Sequence, residues 1–234
     1  MRLHFSLSPN DAPVTFNYHR LLAGCLHKWM GDNHLHDALS LYSVGSLQGG
    51  RAENNALNFP RGASWHISAP DTEEGHEFLT KIAAVALGTK VCFGMEVFDM
   101  HSEATPEFGS RRVFRAQSPV FVGSVQGDDH QTHIIYSDPR ADAMLTQTLH
   151  HKLEKAGLGA LREGASVAFD RSYAHPKTKL IWVKQGSTKD GVSRDFQKRA
   201  SVCPVIVTGN PEAVKFAWCV GAGGLTGMGF GSLI

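Results

Sequence analysis

Asn210-Pro-Glu-Ala-Val-Lys-Phe-Ala-Trp-Cys-Val-Gly-Ala-Gly-Gly-Leu-Thr-Gly-Met-Gly-Phe-Gly-Ser-Leu-Ile234 reads as a helix, a glycine-rich turn and a closing strand. Asn210 followed by Pro211 is the cap-then-proline order of a helix start. Val214, Ala217, Trp218 and Val220 recur at the spacing of an inward helical face. Six glycines then fall in the eleven residues 221–231, before a last strand over Phe230–Ile234. A dinucleotide-binding glycine loop follows a strand and opens a helix, whereas this one follows a helix, and a phosphate-binding P-loop needs Gly-Lys-Ser/Thr, which is missing here. A helix-to-strand turn needs about two glycines, so the excess points instead to a loop that tracks an RNA backbone, its outward amides in contact with phosphate.

Working outward, a strand at Val202–Thr208 precedes this helix, and Leu180–Lys184 is a strand on the other side of a basic segment. Asp138 caps a helix that runs to Lys155 with Ala143, Met144, Leu149 and Leu153 inward, and Gly157 follows. Arg112–Val125, interrupted by Ser118-Pro119, and the short Ile134–Tyr136 supply the earlier strands. The first half has the same order. Met1–Ser8 alternates, with Leu3, Phe5 and Leu7 on one face; Asn17–Met30 is helical through Leu21, Leu22, Cys25, Leu26, Trp29 and Met30. Residues 41–50 and 63–69 read as strands joined by the polar stretch Gly49–Asn58. Thr72–Leu87 reads as a helix with Phe78, Ile82, Val85 and Ala86 inward, and Val91–Met100 as a strand. Strand, helix, strand, strand, helix, strand is the ferredoxin-like unit. The expectation is therefore an α+β chain of two tandem ferredoxin-like (RRM-like) βαββαβ domains, residues 1–110 and 111–234.

The 234 residues carry a formal charge of +1, but the sum hides a division. Residues 1–110 hold 7 Lys/Arg against 12 Asp/Glu, a net of −5; residues 111–234 hold 16 against 10, a net of +6. Lys177, Lys179, Lys184, Lys189, Arg194, Lys198 and Arg199 face only Asp190 and Asp195, which suits a polyanionic partner. With 42% hydrophobic and 19% charged residues the chain is neither disordered nor a coiled coil. No apolar run reaches the roughly 20 residues of a membrane span, and Met1–Ser8 does not read as a signal peptide. Cys25, Cys92, Cys203 and Cys219 are scattered, as buried thiols of a reducing cytoplasm would be.

Thirteen histidines include His34-Leu-His36-Asp37, just after the first helix, and His27 near that helix's end. No Cys, further His or Glu supports His34 and His36 at a metal-ligand spacing, so neither a metal nor a cofactor is expected. Imidazole gives and takes protons near neutral pH. That is what attack of an RNA 2′-OH on the adjacent phosphate requires: a base, an acid for the 5′-oxygen, and a cation for the phosphorane.

The run from Ala217 through the glycines to Ser232 resembles the glycine-rich signature of CRISPR-associated repeat-processing endoribonucleases (the Cas-six family, among the repeat-associated mysterious proteins). Phe114-Arg-Ala-Gln-Ser-Pro-Val-Phe-Val resembles the Ser-Pro strand that opens that family's second domain. Tyr136-Ser-Asp-Pro, with the helix through Leu149-His-His-Lys-Leu, is similar to its next segment. The resemblance implies a metal-independent endoribonuclease that cuts CRISPR precursor RNA within repeats, leaving a 5′-OH and a 2′,3′-cyclic phosphate. It places His36 as general acid or base, with His34 as partner and His27 as rival. Where some members carry a helix tyrosine and a lysine after the histidine, this sequence has Tyr18 and Tyr42, and no lysine between Lys28 and Arg51. Arg20, Lys28 and Arg51 are then the candidates for charge stabilisation. RNA contacts are expected from Arg111, Arg112 and Arg115, from Lys177, Lys179, Lys184, Arg194, Lys198 and Arg199, and from Gly221, Gly223, Gly224, Gly227 and Gly229. The implied partner is CRISPR repeat RNA, with other effector subunits or a second copy as further partners and no membrane. A non-catalytic RNA-binding subunit of a CRISPR effector is the alternative.

Overall fold

The computed structural model describes residues 1–31, 39–123, 134–187 and 193–234, with the backbone alone for 183–187 and 193–196. Strand β1 (Arg2–Leu7) alternates as its sequence dictates, with Leu3, Phe5 and Leu7 in the core. Helix α1 (His19–Met30) buries Leu22, Ala23, Cys25 and Leu26 and stops at Gly31, whose φ of 64° suits glycine. Each fully buried leucine on this face stabilises the fold by about 1.5–3 kcal/mol. After β2 (Ser43–Val44) a small hairpin, β3 (Arg51–Glu53) and β4 (Ala56–Asn58), precedes β5 (Ala63–Ser68). Helix α2 (Glu73–Ala86) is capped by Thr72, whose hydroxyl accepts from the Gly75 amide at 3.2 Å; β6 (Val97–Glu103) follows. All pairs in the order β2-β5-β1-β6 are antiparallel, which is the ferredoxin-like arrangement.

The second half repeats it: β7 (Arg111–Phe114), α3 (Ala141–Lys155), β8 (Ser166–Phe169), a long hairpin β9 (Lys177–Ser187) and β10 (Ser193–Val202), β11 (Val205–Thr208) and α4 (Pro211–Val220). Its sheet runs β8-β11-β7, and the terminal segment takes the fourth place. The Arg115 amide donates to the Ile234 carbonyl at 2.9 Å, and the Gln117 amide to Ser232 at 2.8 Å. Two tandem ferredoxin-like folds account for the chain, and β9–β10 is an extension grown between the second and third strands of the second one.

Several sequence expectations need correction. The strand expected at Val91–Met100 begins at Val97: Val91–Met95 is a turn, with Phe93 at φ 50°, that packs its apolar side chains from a loop. Val85 and Ala143 are exposed, because Leu79 and Leu145 take the inward positions of α2 and α3. The Arg112–Val125 strand stops at Phe114; past Ser118-Pro119 Val120, Phe121 and Val122 make isolated bridges, and Ser124 and Val125 lie outside the described residues. Ile134–Tyr136 and Phe230–Ile234 likewise reduce to single bridges, at Ile134 and Leu233.

Candidate nucleic-acid interface and active site

Besides the sheet beneath it, where Trp29 packs on Phe5 and Trp65, helix α1 packs against α2, the 226–228 turn of the glycine-rich run, and β9 of the hairpin. One side of the first fold is thereby joined to the two features that the sequence singled out in the second. His19, in the first turn, sits at that junction. Its Nε2 lies 3.1 Å from Ser46 Oγ, and its ring stacks on Tyr18 at 4.5 Å and on Phe230 at 6.2 Å. Burial, helped by the nearby Lys179 ammonium, pushes its pKa down to about 4, so it is neutral at pH 7. The sequence reading passed over His19; its spacing from Leu22, Ala23 and Leu26 would have placed it on the buried stripe.

Tyr18 is the N-cap residue of α1 and is buried, its phenol beside Ser46 and the Leu47 backbone; burial raises its pKa. Tyr42 is also buried, beside Ser40, with its pKa raised by burial, and its carbonyl accepts from Thr226 Oγ1 at 2.8 Å. His27 is half-buried in the last turn of α1, next to the exposed Lys28, and Arg20 is exposed in the first turn. His34 and His36 lie in 32–38, outside the described residues; the chain re-enters at Leu39, whose carbonyl accepts from Lys155 Nζ at 2.9 Å. Arg51 is exposed on β3, in a hairpin that pairs with Val14 rather than with α1.

The glycine-rich run, expected to be an RNA-tracking loop, has a packing reason instead. An added Cβ at Gly231 would overlap the Ala222 carbonyl, at Gly223 the Phe121 carbonyl, and at Gly221 it would lie 2.6 Å from the Gly231 carbonyl. All three have positive φ, as does Gly229, which rests on the His19 ring. At Gly227 a Cβ would meet Ser40 Oγ at 2.6 Å and the Tyr42 hydroxyl at 2.7 Å. The amides are largely consumed as well: Gly221, Ala222, Gly224, Gly229 and Gly231 donate to Ala217, Gly231, Phe121, Thr226 and Pro119. Gly221, Gly223, Gly227 and Gly229 are buried and Gly224 half-buried. These glycines let one half of the molecule close on the other, and the open phosphate cradle expected of them is not formed by amides already bonded.

Lys152 holds this knot from below. It is fully buried in α3, and Nζ donates to the Val220 carbonyl at 2.8 Å, to Thr226 Oγ1 at 3.0 Å and to Gly221 at 3.4 Å. Burial pushes its pKa down to about 7, against oxygens at a helix C-terminus that favour the charged form. Thr226 passes the link on to Tyr42, so α3 of the second fold is tied to the strand that leaves the histidine segment. Gln117 adds a second tie: it accepts from the Ser46 amide at 2.8 Å and donates to the Ser46 carbonyl at 3.2 Å.

Cations flank the junction. Lys177, Lys179 and Arg199 are exposed on the hairpin, and Lys198 is half-buried with Nζ 5.4 Å from the centre of the Phe121 ring. Lys184 and Arg194 fall on β9 and β10, where the backbone alone is described, and Lys189 lies outside the described residues. Arg111, Arg112 and Arg115 are exposed, but on and just after β7, a different sheet from the hairpin. Among the described residues no group of three or more His, Cys, Asp and Glu side chains is placed to hold a metal ion. No helix among them is long and apolar enough to cross a membrane.

Comparison with known proteins agrees with this architecture. Residues 103–233 match the model of the family described as CRISPR associated protein Cas6, C-terminal. No curated protein matches the sequence. Among solved structures, a Cas6-related protein from Pyrococcus furiosus superposes with a TM-score of 0.79 at 18% identity, covering 100% of this chain and 97% of that one. A structure described as a RAMP protein binding different RNA substrates gives 0.78 at 18% identity, covering 100% and 99%. A Cas6 product complex gives 0.60 at 14% identity, covering 100% and 98%. These likenesses carry the fold, and the family match spans more than half of the sequence: the chain belongs to the Cas6 family of CRISPR associated proteins.

Proposed function

We propose that this protein is a metal-independent endoribonuclease that cuts CRISPR precursor RNA within its repeats. The observation that carries the reading is the junction at α1: this helix, which bears His27 and Lys28 in its last turn, packs against the 226–228 turn of the glycine knot and against β9 of the cationic hairpin. An RNA strand lying along the hairpin would pass beside α1. In the reaction, one imidazole takes the 2′-OH proton, O2′ bonds to phosphorus, and the P–O5′ bond breaks as an acid protonates O5′. The products are a 2′,3′-cyclic phosphate and a 5′-OH. His36 is assigned as the principal acid or base, with His34 or His27 as its counterpart, and Lys28 or Arg20 as the cation facing the phosphorane. Tyr18 and Tyr42 are buried and their phenols are held protonated, so they serve as positioning residues here rather than proton donors to RNA.

The test is single-turnover cleavage of repeat RNA by His36→Ala and His27→Ala. For the residue that does the chemistry, the rate falls about 100-fold or more while RNA affinity stays within twofold. Cleavage undiminished in His36→Ala, His34→Ala and His27→Ala alike would remove the assignment. A non-catalytic RNA-binding subunit is the second reading, favoured by the burial of His19, Tyr18 and Tyr42, which withdraws three proton-transferring groups from the surface. It predicts tight, salt-sensitive binding with no cyclic phosphate.

A further inference from the structure

The two faces of the β9–β10 hairpin differ. Ile181 and Ala200, on the inner face, are buried against Phe230, with Phe121, Leu225 and Met228 around them. The register pairs Ile181 with Lys198, Leu180 with Arg199 and Trp182 with Gln197. Neighbouring residues along a strand point to opposite faces, so Leu180 and Trp182 share the outer face with Arg199. Both are open to solvent, Leu180 at 43% and Trp182 at 38% of their surface, and Arg199 is exposed beside them. Of the chain's four tryptophans, Trp65 and Trp218 are buried and Trp29 is half-buried with its indole N–H donating to Thr89 at 3.0 Å. Trp182 is thus the one tryptophan that the fold leaves exposed, and it shares its face with Leu180 and Arg199.

We propose that the outer face of the hairpin, centred on Trp182, is a stacking platform for an unpaired nucleobase of the bound RNA, with Leu180 and Arg199 completing it. The proposal rests on the RNA reading above and adds a mode of recognition to it. The surroundings decide between occupants. A protein-docking patch is usually depleted of lysine, whereas this hairpin is cationic on both sides: Arg199 lies on the Trp182 face, and Lys177, Lys179 and Lys198 alternate onto the opposite face of the same two strands. Flat aromatic surface among cations is the composition of sites for single-stranded nucleic acid, where the cations follow phosphates and the ring takes a base. A base-paired stem would engage the cations alone, since its bases are already stacked.

Trp182 also supplies the assay. Titrating the full-length protein with single-stranded twelve-residue oligoadenylate at low salt is expected to quench tryptophan emission, and Trp182→Phe should lose that quenching while keeping affinity. Trp182→Ala should weaken binding about 5- to 150-fold, the worth of one stacked base. Its salt dependence should stay unchanged, because no phosphate contact is removed. Wild-type binding with Trp182→Ala undiminished would overturn the platform and leave the RNA reading intact; no RNA binding by the wild type would sink both. If Trp182→Ala instead changes sedimentation of the protein alone and not its RNA affinity, the face belongs to a protein contact and the proposal is wrong.

Discussion

At the scale of single residues, burial decides which imidazoles stay neutral. His19 and His66 are both buried and both held neutral, His19 with its pKa lowered to about 4 and His66 well below the ordinary value, by burial and then by Arg2 and His4. Their consequence is for stability. In the unfolded chain each titrates near 6.5, so the unfolded state binds more protons than the native one below that pH. Their titration therefore takes almost nothing from stability at pH 7, and stability is lost as pH falls from about 6.5 towards 4. For His19→Phe, which keeps the stack between Tyr18 and Phe230 and cannot protonate, the acid limb should be shallower by up to about 3 kcal/mol. Urea midpoints of the two proteins between pH 7 and pH 4 measure it; parallel curves would mean that His19 protonates freely in the native state.

At the scale of elements, the glycine-rich run is a packing device before it is anything else. Replacing Gly231 by Ala drives a methyl into the Ala222 carbonyl at a positive φ, whereas Gly224 has only the Phe121 ring nearby, at 3.5 Å. Gly231→Ala should lose well over 1 kcal/mol, beyond the usual cost of an alanine at positive φ, and lower the melting temperature by many degrees. Gly224→Ala should stay within about 0.5 kcal/mol of wild type. Equal melting temperatures for the two variants would refute the packing account. What was legible in the sequence follows from the same physics. Alternation in Met1–Ser8, helical spacing in α1 and the Asn210-Pro211 start of α4 were readable because local pattern and burial agree there. Val91–Met95 was misread because a turn can bury apolar residues as well as a strand does. Lys152 went unnoticed although it falls on the stripe of Leu145 and Leu149, because only the fold shows the carbonyls that it meets. The glycine count was plain, but whether their amides were free depended on contacts with Phe121, Pro119 and Ala217, far apart in the chain. For the site, the sequence supplied the histidines and the basic hairpin, while the junction of α1 with Ser46, Thr226 and Lys179 exists only in three dimensions.

At the scale of the molecule, the two folds are sewn together by buried polar ties. Arg2 lies 3.8 Å over the Trp218 ring and donates to the Leu233 carbonyl at 2.7 Å, Ser43 donates to the Cys219 carbonyl at 2.8 Å, and His66 meets Ser232 at 2.8 Å. That seam fixes the acidic first half against the basic second half. The arrangement suits a chain that grips RNA with one fold and acts on it with the other, with phosphate contacts setting affinity and the shape of the strand setting the position of attack. The direct measurement is incubation of the protein with RNA carrying its own CRISPR repeat after exhaustive treatment with EDTA, followed by analysis of the fragment ends. A single cut in each repeat, at an unreduced rate, with a 2′,3′-cyclic phosphate on one fragment and a 5′-OH on the other, is the predicted result. Cleavage that appears only when magnesium is restored, or fragments ending in 5′-phosphate, would contradict it.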